Sequence, residues 1–143
     1  MNTAALAYPD DLWYLVADQV WARLGADNTA TVGITALGVQ LAGEVYMCRP
    51  KSVGTEVQQG RGIAVVELAK SIVSVKSPVS GRVVAVNQKL AAQPELVHTD
   101  PCGEGWLAQL ALHDFASDQA ALLHGEPVAA AMAHHAWLHR SET

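Results

Sequence analysis

The sequence predicts a mainly β protein, an antiparallel sandwich or flattened barrel with short helices at the N-terminus and C-terminus. Two features lead there. Across residues 29–86 short β-branched runs recur, separated by Gly, Pro, Ser and Asn at the spacing of a meandering sheet. Outside that stretch the pattern relaxes into an aromatic-rich and an alanine-rich segment that suit helices. At 143 residues, half of them apolar, the chain has the length of one domain and enough material for a core. We therefore read residues 1–143 as a single unit.

Taken in order, Tyr8-Pro9-Asp10-Asp11 sets acids ahead of an apolar stretch and can open a helix or a turn. Residues 12–24 carry Trp13, Tyr14, Val16, Val20 and Trp21, which a short helix followed by a strand accommodates. Ala26-Asp27-Asn28 reads as a turn. Strands follow at 29–35, 44–48, 63–66, 71–75 and 82–86, with a short helix at 35–41. Residues 87–100, broken by Pro94, form a helical turn and loop, and 105–112 is the last strand. Residues 114–140 read as two helices parted at Gly125-Glu126-Pro127, the second starting near Pro127. Trp21 and Trp106 are the expected core anchors.

Composition excludes several functions. Fourteen acids against nine bases give a net charge of -5, which we read as spread along the chain. That argues against nucleic acid and against an anionic membrane as partners. An acidic surface would instead steer partners weakly and salt-dependently. No apolar run reaches the roughly 18 residues of a spanning helix, and residues 1–11 lack the basic start and apolar centre of a signal peptide. The expected location is cytoplasmic. Two cysteines, Cys48 and Cys102, are too few for a disulfide framework or a zinc site of cysteines alone.

The most informative stretch is Val65-Val66-Glu67-Leu68-Ala69-Lys70-Ser71-Ile72-Val73, two apolar strand ends joined by a turn that holds a lysine and follows a glutamate. A lysine at a hairpin tip projects into solvent on a flexible stem, the geometry that attaching a long prosthetic arm requires. Charged residues also sit at ordinary turns, so spacing alone leaves both readings open. An internal echo flanks this segment: Val53-Gly54-Thr55-Glu56-Val57 and Val79-Ser80-Gly81-Arg82-Val83 each feed a turn glycine into a valine-rich strand.

At these residues the chain resembles the H-protein family of the glycine cleavage system, lipoyl-carrying relatives of the biotinyl/lipoyl domains. The matching stretches are Asp27-Asn28-Thr29-Ala30-Thr31-Val32-Gly33-Ile34-Thr35, Val53-Gly54-Thr55-Glu56-Val57, Val65-Val66-Glu67-Leu68-Ala69-Lys70, Ser77-Pro78-Val79-Ser80-Gly81, Val86-Asn87 and Asp100-Pro101-Cys102-Gly103-Glu104-Gly105-Trp106-Leu107. Six weak matches in family order make a strong one. The resemblance implies a biotinyl/lipoyl-type fold with its hairpin core at about 53–87 and a C-terminal helical segment at about 114–140. It implies lipoate attached covalently to Lys70, with Glu67 read by the lipoate-attaching enzyme. Biotin carriers usually flank the lysine with methionines, whereas Ala69 and Ser71 stand here.

The chain also departs from the family. Ser71 and Ser74 stand where alanine and aspartate are common, Gln19-Val20-Trp21 where His-Glu-Trp is typical, and Cys102 where an aromatic is usual. Arg49-Pro50-Lys51 is basic where the family tends to be acidic, and residues 125–143 run long. These departures look like the lipoate-binding proteins of sulfur-oxidising prokaryotes. The expected function is accordingly a carrier, not an enzyme, presenting a lipoamide arm that bears a sulfur intermediate to a heterodisulfide-reductase-like complex. The alternative is the H protein of glycine cleavage, serving glycine decarboxylase, aminomethyltransferase and dihydrolipoamide dehydrogenase. A third reading is an unlipoylated structural or regulatory relative, which the presence of Glu67 and Lys70 disfavours. Either carrier needs a lipoate-protein ligase or lipoyl transferase.

Of the remaining candidates, Cys48 in an apolar strand reads as a small buried hydrophobe. Cys102, in a Pro-Cys-Gly loop, reads as the more accessible thiol, able to exchange with a dithiolane. His135 and His139 share a helix face next to His134, but no His-Glu-x-x-His arrangement accompanies them, so we read a solvated face and no metal. His98 and His113 default to the surface.

Overall fold

A computed structural model describes residues 8–140; residues 1–7, on which most of the leader reading falls, and 141–143 lie outside the described residues. The chain runs β1 (Leu12–Leu15), β2 (Val20–Leu24), β3 (Thr29–Ile34), α1 (Ala36–Ala42), β4 (Met47–Pro50), β5 (Glu56–Val57), β6 (Gly62–Glu67), β7 (Ile72–Lys76), β8 (Gly81–Val86), α2 (Leu96–Thr99), β9 (Ala108–Leu112), α3 (Phe115–Asp118), β10 (Leu123–His124) and α4 (Pro127–Leu138). Seven strands form one sheet in the order β10-β1-β2-β3-β9-β8-β5, and β4-β6-β7 form a second. Every pairing is antiparallel. The mainly β architecture and its short helices are those expected.

The first hairpin refines the reading of residues 12–24. The short helix expected there is a single 3-10 turn, Val16–Asp18, and strand β1 precedes it, paired with β2 from Leu12↔Arg23 to Leu15↔Val20. Alternation explains the strand. Leu12 and Tyr14 point into one apolar cluster, while Trp13 and Leu15 pack against another. β2 is buried on both faces in the same way: Val20 and Ala22 join the core between the sheets, and Trp21 joins the cluster under α1 and α4. Asp27 and Asn28, both at φ 58°, close the turn into β3, a conformation that Asn and Asp tolerate.

Thr35 caps α1 by accepting a bond from the Gly38 N–H at 2.9 Å. β4 begins at Met47, later than the strand expected at 44–48, because the Val45 N–H donates to His98 Nε2 on α2 instead of to a strand. The two echoing segments prove to be neighbours: Glu56 pairs with Arg82 and Val57 with Gly81, and the Gly54 N–H donates to the Val83 carbonyl at 2.8 Å. Gly54, at φ 97°, makes that turn possible. Trp21 is fully buried as expected, whereas Trp106 is half-buried at the edge of the second cluster. At the C-terminal end, α3 and a 3-10 turn give way to β10 and then to α4, which opens on Pro127.

Candidate functional site

β6 and β7 make the expected hairpin. Val66 pairs with Val73 and Glu67 with Ile72, and the Leu68 N–H donates to the Ser71 carbonyl at 2.8 Å, leaving Ala69 and Lys70 as the two turn residues. Lys70 is exposed and, among the described residues, makes no ion pair, so its amine is accessible for acylation. Glu67 is exposed on the same tip, on the outward face of β6 between Met47 and Ile72. The structure therefore brings both expected site residues together without joining them.

The tip is set in an apolar collar that the sequence reading overlooked. Ile72 is 70% exposed, and Tyr46, Met47 and Val65 near it are each at least 40% exposed. Exposed apolar groups gathered around one charged tip mark a surface that meets a partner.

Inward of the same hairpin, Val66, Val73 and Val75 face Ile34, Val39 and Ala42 across a cleft of about 130 Å³ whose polar side carries Asp18 and Gln19. Gln19 is rigidly held: Thr35 Oγ1 donates to its Oε1 at 2.5 Å, and its Nε2 donates to the Val16 carbonyl at 2.9 Å. A hydrocarbon arm rooted at Lys70, three residues before Val73, would find shelter from water here.

The base of the hairpin is fixed by a buried carboxylate that sequence reasoning also missed. Asp118 Oδ2 accepts from the Ser80 N–H at 2.7 Å, and its Oδ1 from Ser80 Oγ at 3.2 Å, in the turn between β7 and β8. Gln59 adds bonds to the carbonyls of Pro78 and Asp118. Replacing Asp118 by alanine strands two donors in a buried site. We expect Asp118→Ala to lower stability by about 2–3 kcal/mol in urea unfolding; a change below about 0.5 kcal/mol would mean that water satisfies the turn.

Both cysteines are free. Burial pushes the Cys48 thiol up to about 12. It also pushes Cys102 up to about 11, against the opposing pull of Arg23, so little thiolate forms on either. Cys102 is the more accessible of the two, as its loop suggested, but it is half-buried beside Trp21 and Tyr14, and its raised thiol does not favour exchange with a dithiolane. His134 and His139 are exposed, as expected of a solvated helix face, while His135 is half-buried with its ring tilted against that of His139 at 4.3 Å. His98 and His113 have partners within the chain, the Val45 N–H and Glu56. Among the described residues no helix is long and apolar enough to cross a membrane.

A lysine on a two-residue turn, on a hairpin braced at its base and exposed at its tip, has the geometry that a carrier domain of the lipoyl type requires. The chemistry of such a domain resides in the group it bears. The comparisons sharpen that class into a family: residues 12–135 match the glycine cleavage H-protein family, and the chain belongs to it. It is 38% identical over 118 residues to glycine cleavage system H protein 2 of Aquifex aeolicus, covering 82% of this chain and 73% of that one. It is 42% identical over 106 residues to the H protein of Marinobacter nauticus, covering 74% and 81%. The crystal structure of the H protein from Mycobacterium marinum superimposes with a TM-score of 0.69 at 29% identity, covering 92% of this chain and 98% of that one. Proteins of this family carry lipoate covalently on a lysine and act as carriers, not catalysts, within a multienzyme system.

Proposed function

We propose that this chain is the H protein of a glycine cleavage system, with Lys70 as its lipoylated lysine and Glu67 as the mark read by the lipoate-attaching enzyme. The match of residues 12–135 to that family carries the reading. The free, exposed Lys70 at the hairpin tip supports the assignment of the residue. The partners that follow are a lipoate ligase or lipoyl transferase, glycine decarboxylase, aminomethyltransferase and dihydrolipoamide dehydrogenase. The sulfur-oxidation reading and its heterodisulfide-reductase-like partner gain no support from these relatives, all named for glycine cleavage. They rest on the departures from the family pattern, at Gln19-Val20-Trp21, Arg49-Pro50-Lys51, Ser71, Ser74, Cys102 and residues 125–143.

Lipoate, once attached, supplies a dithiolane that takes up and releases the carried aminomethyl group by sulfur chemistry. The rest belongs to the chain. Lys70 contributes its amine to one amide bond and thereafter acts as a stem. The Ser80–Asp118 brace keeps the hairpin from yielding when a partner docks. The cleft lined by Val66, Val73 and Ile34 excludes water from the arm between visits.

Lipoylation is the first test of the residues. Glu67 is exposed, so Glu67→Gln should fold normally while its rate of lipoylation falls about tenfold, the loss of one charged hydrogen bond to the attaching enzyme. An unchanged rate would remove Glu67 from the site. For the pathway, the lipoylated chain mixed with glycine decarboxylase should support exchange of bicarbonate into the carboxyl of glycine. A fully lipoylated sample that supports no exchange would exclude the glycine cleavage reading.

A further inference from the structure

The charge of this chain is divided, not spread as its sequence suggested. Residues 49–82 hold six of the nine lysines and arginines and only two of the fourteen acids, so the remainder is strongly acidic. The division follows the architecture, because that stretch contains most of the β4-β6-β7 sheet and the β5–β8 pair at its base. The cations there are also unneutralised. Elsewhere Arg23 is paired with Asp11 at 3.1 Å and Lys89 with Glu104 at 3.2 Å. Among the described residues Arg49, Lys51, Arg61, Lys76 and Arg82 have no carboxylate partner.

Their arrangement is directional. On the outward face of the small sheet, Arg49 lies beside Val65, and Met47 and Ile72 flank Glu67 nearer the tip. Gly62, five residues before Glu67 and roughly 17 Å from it at strand rise, opens onto a cavity of about 370 Å³ lined with Lys51, Arg61, Thr55, Gln58 and His113 just past the ends of β4 and β6. Glu56 also borders this cavity, hydrogen-bonded to His113 Nε2 at 2.5 Å, so its one carboxylate stands against the two cations. The face is thus apolar at the tip and cationic along the stem and base.

We propose that this face is a docking surface for an enzyme whose arm-binding channel is rimmed by carboxylates. An acidic rim is attracted by residues 49–82 and repelled by the rest of the chain, so the carrier arrives tip first, with Lys70 entering the channel. The apolar collar then supplies the desolvated centre of the contact, and a carboxylate of the partner enters the cavity of Lys51 and Arg61. The acidic remainder of a second copy offers the same complement. A copy seated there would cover the tip that partners must reach, which is why we assign the face to an enzyme.

This inference rests on the carrier reading, and its test separates the two. With lipoylated protein and glycine decarboxylase from the same organism, bicarbonate exchange is measured against carrier concentration at low and moderate salt. The expected KM rises about fivefold from roughly 50 to 300 mM salt with kcat unchanged. The triple variant Arg49→Gln/Lys51→Gln/Arg61→Gln should raise the low-salt KM by about tenfold and flatten that dependence, again at constant kcat. Its melting temperature should match the parent's, since all three side chains are exposed and without ion-pair partners. Exchange with a KM indifferent to salt and to the triple variant overturns the docking surface and leaves the carrier reading intact. No exchange at saturating carrier overturns both. Dimerisation at low salt that the triple variant abolishes, or tight binding of a short mixed-sequence DNA, would assign the face to another occupant and overturn the proposal.

Discussion

The Lys70→Arg variant is expected to fold like the parent chain and to carry nothing. Lys70 sits at the second position of a two-residue turn, exposed and without an ion-pair partner, so its side chain contributes nothing to the core. Arginine keeps the charge and the stem, but its guanidinium stays protonated far above neutral pH and does not serve as the amine of an amide bond. Expressed alongside a lipoate-attaching enzyme, the parent should gain the mass of one lipoyl group and the variant none. Exchange with glycine decarboxylase should fall to background while the melting temperature moves by less than about 2 °C. A drop of several degrees would show that Lys70 is packed into the fold. A lipoyl group on the variant would move the attachment to another lysine, and the proposed site would fall.

That expectation could be framed from the sequence because the hairpin is local. Val66 pairs with Val73 and Glu67 with Ile72 across a two-residue turn, and apolar strand ends with a polar tip suffice to reveal such a unit. The echo at 53–57 and 79–83 was legible for a related reason, since two like segments occupy like positions on either side of the hairpin, and they pair with each other. The parts that escaped all depend on residues far apart in the chain. Asp118 braces Ser80 across 38 positions. The cleft is closed by Asp18 and Gln19 from one end of the chain against Val73 and Val75 from its middle. Strand β1 escaped because aromatic residues suit strands and helices alike, and its alternation matters only once α4 covers one face and the sheet core the other. The charge division was countable from the start. It gains meaning only when Arg49 on one subsheet, with Lys51 and Arg61 at its end, is seen without a carboxylate partner among the described residues, while Arg23 and Lys89 are paired elsewhere.

Trp21 is the residue whose truncation should cost the most stability. It is fully buried between β2 and the cluster formed with Leu37, Met132 and Val128. Its indole N–H donates to the carbonyls of Ile34 at 3.0 Å and Pro101 at 3.2 Å, tying the end of β3 to the loop after α2. Trp21→Ala removes that volume and both bonds, and should lower stability by about 3–5 kcal/mol, a fall of roughly 10–20 °C in melting temperature. The opposite side of the same contact tests the mechanism. A Cβ on Gly33 would run into the indole ring, so Gly33→Ala should cost about 1–3 kcal/mol by crowding alone. In the Trp21→Ala background the added methyl enters the vacated space, and its cost should shrink or change sign. Strict additivity of the two substitutions would show that Gly33 is needed for its backbone and not for the ring. Because Ile34 lines the cleft beside the hairpin, loss of the Trp21 tether should also loosen the shelter of the arm. Lipoylated Trp21→Ala, assayed well below its melting temperature, should then transfer its cargo to free water faster than the parent, while the Lys70 amide remains intact.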